Sequence, residues 1–155
     1  MKEICTGGRG KTGIKMGERD LMISTEPDTP WVILEALNIS GAKDKGTWKS
    51  HLDKLLDHYN PYGLKTLVLL SYINCEQKGF VTVVKGYREL LQAYDPNEWK
   101  LIPGTALPVK MKNPTNFLKV FRCCYSCGAE EKSQIEVYHL FARIDTMKAE
   151  KEPRE

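Results

Sequence analysis

Residues 60–75, NPYGLKTLVLLSYINC, form the most apolar window of the chain, and the element assigned to them decides the fold. Asn60 can cap a helix with its side-chain oxygen, and Pro61 suits the first helical position, where a missing N–H costs nothing. Leu64, Leu67, Val68, Leu69, Leu70, Tyr72 and Ile73 then cover more than one stripe of a helical wheel, interrupted by Lys65, Thr66, Ser71 and Asn74. Such all-round hydrophobicity is expected of a helix packed on several sides. The window therefore predicts a central helix with Leu67, Leu70 and Ile73 buried, and at about 15 residues it is too short to cross a bilayer.

On its N-terminal side, Trp48, Leu52, Leu55, Leu56 and Tyr59 recur at i, i+4, i+7, i+8 and i+11, one face of a helix starting at Thr47. On its C-terminal side, Phe80, Val83, Val84, Tyr87, Leu90, Leu91 and Tyr94 repeat at helical spacing until Asp95-Pro96 ends the run, although the β-branched start over 80–84 also suits a strand. Short connections favour antiparallel neighbours, so residues 47–94 read as a three-helix cluster. Further out, 19–25 alternates as a short strand. Thr29 and Pro30 then open a short helix over Trp31, Ile33, Leu34 and Leu37, stopped by Ser40-Gly41. Beyond Trp99 the prolines at 103, 108 and 114 break the chain into extended pieces, and 107–112, 116–123 and 134–144 read as strands, with 124–133 as a hairpin connection turning at Gly128.

The expected architecture is a single α+β domain over 19–145: a cluster of short helices (about 47–94) packed on a small antiparallel sheet (about 105–144). Residues 1–18 read as a flexible basic arm and 146–155 as a charged tail.

A net charge of +3 is mild, but its distribution is not even. Arg9, Lys11 and Lys15 lie in the arm, and residues 99–129 carry Lys100, Lys110, Lys112, Lys119 and Arg122 with no acidic residue among them. Lysines interleaved with Trp99, Phe117, Phe121 and Tyr125 suit phosphates and bases, or an anionic lipid interface. These eight cations are the expected contacts to an anionic partner. No signal-peptide pattern and no transmembrane run is present, which points to a cytoplasmic protein with at most peripheral membrane contact.

The five cysteines, three of them at 123, 124 and 127, do not form a secreted disulfide framework. Structural zinc needs four ligands, usually as two pairs, and Cys124, Cys127 and His139 lack a second pair. His51 and His58 are seven apart on one helical face beside Asp53 and Asp57, a solvated polar face rather than an acid–base site. Ser71 and Cys75 have no nucleophile elbow around them. Gly8-Arg-Gly-Lys11-Thr12 has Cys5 where a phosphate-binding loop needs its first glycine. No metal, cofactor or catalytic residue is expected.

A basic arm, a short strand, a cluster of short helices and then a basic antiparallel sheet, in a small chain without catalytic motifs, resembles the small matrix proteins of rhabdovirus-type viruses in layout and charge. That resemblance implies a non-enzymatic, self-associating assembly protein that bridges a ribonucleoprotein and the inner face of a membrane, in the virion and host cytoplasm. The arm lacks the Pro-Pro-x-Tyr budding signal common in such proteins. Two other functions fit the same residues: a small nucleic-acid-binding accessory protein, and a small enzyme whose site one sequence does not reveal.

Overall fold

A computed structural model describes residues 4–5, 21–26, 29–41, 44–60, 62–128 and 134–144. In chain order these form β1 (Ile4–Cys5), β2 (Leu21–Glu26), β3 (Thr29–Ile39), α1 (Lys45–Asp57), β4 (Thr66–Asn74), α2 (Gln77–Leu91), β5 (Trp99–Leu101), β6 (Leu107–Pro108), β7 (Leu118–Cys127) and β8 (Gln134–Ile144). The fold is α+β, but its sheet is large and mixed, eight strands in the order β1-β2-β3-β4-β8-β7-β5, with β6 also on the outer edge of β7. β3, β4 and β8 run parallel at the centre, and the remaining pairings are antiparallel.

The apolar window is thus a strand and not a helix. Its side chains alternate between buried and half-buried along β4, so the run of apolar residues belongs to two faces of a central strand and not to the circumference of a helix. Parallel strands produce this near-continuous pattern, and Thr, Val, Tyr and Ile favour the extended backbone. Asn60 does not cap a helix. Its Oδ1 accepts from the Leu64 N–H at 2.7 Å and its Nδ2 donates to the Leu64 carbonyl at 2.9 Å, which closes a turn between α1 and β4. Leu67 and Ile73 are buried as expected, whereas Leu70 points to the opposite face and is half-buried.

The expected helix over Trp31 to Leu37 is likewise strand β3, whose Ile33, Glu35, Leu37 and Ile39 alternate into the core. The three-helix cluster is two helices with β4 between them. α1 and α2 agree with the spacing of their apolar residues, and the 80–84 run is helical. The 107–112 strand is confined to Leu107–Pro108, β7 runs to Cys127 and so takes up the start of the expected hairpin connection, and Gly128 follows it at φ +78°. β8 has the expected bounds. In the arm, Ile4–Cys5 pairs with β2; Arg9, Lys11, Lys15 and the 146–155 tail lie outside the described residues.

Both helices cover one face of the sheet. Trp48, Leu52, Leu55 and Leu56 of α1 and Phe80, Val84, Tyr87 and Leu91 of α2 pack on Ile33, Leu67, Leu69, Val137 and Phe141 in one core. Trp48 sits at its centre, with ring centroids 5.7 Å from Tyr87 and 5.4 Å from His139. Each fully buried large side chain here contributes about 1.5–3 kcal/mol.

Candidate functional site

Strand pairing separates the basic residues of 99–129. Lys119 faces the same side as buried Phe121, and Arg122 the other, because the β7–β8 register runs from Leu118 to Ser126 without a bulge. Arg122 pairs with Glu136 across the strands. Lys100 Nζ lies 3.4 Å from Asp95 Oδ2. Both carboxylates come from outside the acid-free stretch, a compensation that sequence alone did not reveal.

Lys110 and Lys112 are exposed on the segment that follows β6. The Val109 N–H donates to the Val120 carbonyl at 2.9 Å, laying the start of that segment beside the first residues of β7. The ring of Phe117 is 54% exposed at this corner. The Arg143 guanidinium lies 4.6 Å from its centroid, and the Arg143 N–H donates to the Phe117 carbonyl at 2.7 Å. Arg143 thus packs on an exposed aromatic, with Lys119 two residues along the chain and Lys110 and Lys112 on the segment that begins beside β7, groups able to hold phosphates while a base stacks on the ring. Arg143 was missed because it closes the predicted β8 strand, outside the basic stretch.

A second group of polar residues lies under α1. Glu35, at 3% exposure, sits in β3 between Ile33 and Leu37. His51 of α1 places Nδ1 2.6 Å from Glu35 Oε1, and its side chain is 26% exposed. A carboxylate beside Nδ1 favours the proton there and leaves Nε2 as the acceptor, the orientation needed for a general base. His51 is thus more than part of a solvated face. Lys54 and His58 lie exposed at i+3 and i+7 on the same side of α1. Glu35 was missed because a single carboxylate in an apolar run reads as the wet side of a helix; alternation with Ile33 and Leu37 was the available signal.

The remaining candidates do not converge. His139 is fully buried on the helix-covered face, opposite Phe121, whereas Cys124 points to the other face and Cys127 lies six residues along β7 from Phe121. Burial among Trp48, Tyr125 and Leu69 pushes His139 down to about 3 and keeps it neutral. Burial pushes the Cys123 thiol up to about 12, the opposite of an activated thiolate. Ser71, 1% exposed, faces the helices and packs in the core. Among the described residues, no three His, Cys, Asp or Glu side chains gather as a metal site, and no helix is long and apolar enough to cross a membrane.

Comparisons with protein-family models, with curated proteins and with solved structures gave no match, so the residues and their geometry alone carry the functional argument.

Proposed function

We propose that the protein binds an anionic, single-stranded partner, an RNA or a ribonucleoprotein, through the corner formed by Lys110, Lys112, Phe117, Lys119 and Arg143. The observation that carries this reading is the exposed Phe117 ring held against Arg143, in a stretch whose lysines have no acidic residue among them in sequence. The same contact serves a nucleic-acid-binding accessory protein and, combined with self-association, an assembly protein of the matrix type. Fluorescence anisotropy with a single-stranded RNA, measured across salt, tests it: about four phosphate contacts give a log–log slope of roughly −3. Phe117→Ala should weaken binding by about 1–3 kcal/mol at constant salt slope, and Lys110→Glu with Lys112→Glu should flatten the slope. Equal binding by wild type and both variants would remove this corner from the function.

A second reading is favoured by the Glu35–His51 pair, since a buried carboxylate is costly and an apolar residue would serve the core better. In it the protein is a small hydrolase of anionic substrates, with His51 as general base and Glu35 as its positioning residue. Turnover of chromogenic phosphodiesters that disappears in His51→Ala and in Glu35→Gln would establish it; no turnover, or turnover unchanged in both, would end it.

A further inference from the structure

The face of the sheet turned away from α1 and α2 is as apolar as the face they cover. One row crosses β3, β4, β8 and β7 as Ala36, Leu70, Leu140 and Val120. The rows on either side set Val68 beside Tyr138 and Tyr72 beside Ala142. All of these are half-buried except Tyr72, which is 36% exposed. The pairings among the four strands are unbroken, so the surface has only the regular twist of a sheet. Among the described residues, no helix lies on it.

We infer that this face is a self-association surface on which a second copy of the chain packs sheet to sheet. Three features select that occupant. The charged side chains of this face on the four strands are Arg122 and Glu136, which pair with each other; the patch is thus neutral and attracts neither a polyanion nor an anionic membrane. It is regular and apolar, and two such faces stack about 10 Å apart as the layers of a β-sandwich do. At a strand spacing of about 4.8 Å and a same-face repeat of about 6.8 Å, four strands by three rows span about 20 Å by 20 Å, roughly 400 Å² per copy. That is about half of the 800 Å² per partner of a standard stable interface, and the polar rim supplies the remainder. The inference is independent of the anion-binding corner, since Phe117 and Lys119 lie on the opposite face.

Sedimentation of the full chain from about 1 to 200 µM tests it, the range in which an interface of modest size dissociates. The expected result is a monomer–dimer equilibrium, weakened at least tenfold by Tyr72→Lys, a substitution at the edge of the patch that leaves the core intact. Leu70→Asp should abolish the dimer, with circular dichroism checking that it remains folded. Methyl resonances of Val68, Leu70 and Leu140 should shift with concentration, and those of Val81, exposed on α2, should not. A wild-type monomer throughout the range, or a dimer that tolerates Tyr72→Lys with no shift at Leu70, would overturn the inference. So would methyl shifts at Leu70 that need neutral or anionic vesicles and not a second copy.

Discussion

The two faces of the sheet carry similar numbers of apolar residues, yet they do different physical work. Under α1 and α2, side chains such as Leu69 and Phe141 are fully buried and packed with aromatic rings at 5–6 Å separations; on the opposite face Leu70 and Leu140, one residue away along the same strands, keep part of their surface in water. The difference shows that hydrophobicity specifies a strand's place in the sheet but not which face is roofed. The roof is specified by the helices, whose apolar stripes must be covered first.

The largest test of that contrast is acid. His139 is depressed to about 3 by burial, while the unfolded chain takes up its proton near 6.5. The unfolded state therefore binds more protons between those values, so its contribution is complete above about pH 6.5 and is lost as pH falls toward 3. The loss should reach on the order of 4 kcal/mol. His139→Phe should remove that part of the acid sensitivity, as measured by urea unfolding at pH 7 and pH 4. If the variant is equally acid-labile, the histidine is not held neutral by the roof.

Next in size is the comparison of neighbours in β4. Leu69→Ala should cost about 3 kcal/mol through lost transfer energy and a cavity under α1, and Leu70→Ala about 1 kcal/mol in the monomer, since its site is already half wet. Equal losses in chemical denaturation would mean that both faces are cores. The Glu35–His51 pair should respond less: Glu35→Gln keeps a polar partner for His51 and should change stability by about 1–2 kcal/mol, with a smaller change once His51→Ala is present, a coupling that a double-mutant cycle measures. Smallest is Lys119→Ala, expected within about 0.5 kcal/mol in thermal unfolding, because a cation at the margin of the sheet adds little to the fold.

Part of this was legible in the sequence. α1 and α2 have clean periodicities, one face apolar and the other polar, and each formed as its spacing predicts; β8 formed over the expected residues. β3 and β4 did not, for one physical reason: strands buried on one face and apolar on the other lose the alternation that marks a strand, and what remains imitates a helix with apolar residues all round. Asn60 pointed the same way, since a residue that caps a helix also closes a turn. At the candidate site the lysines were visible but their faces were not. Lys119 and Arg122 are three residues apart, and without a bulge between them the pleat sends them to opposite sides. Glu35 and Arg143 depend on partners, His51 and Phe117, that only the tertiary fold brings near.

The place of β8 in the sheet bears on how the chain reaches this fold. β3, α1 and β4 can assemble as a local parallel unit while synthesis continues, but the strand that completes β4 on its other side is the last of the described strands to be made. Until residues 134–144 emerge, β4 presents a free apolar edge, the template most open to pairing with another chain. Closing the sheet then joins segments more than sixty residues apart, as in the Thr66 to Glu136 pairing, an ordering step that slows folding and leaves the partly made protein sticky. A chain ending before β8 should therefore aggregate, whereas one ending just after Ile144 keeps every strand of the sheet among the described residues.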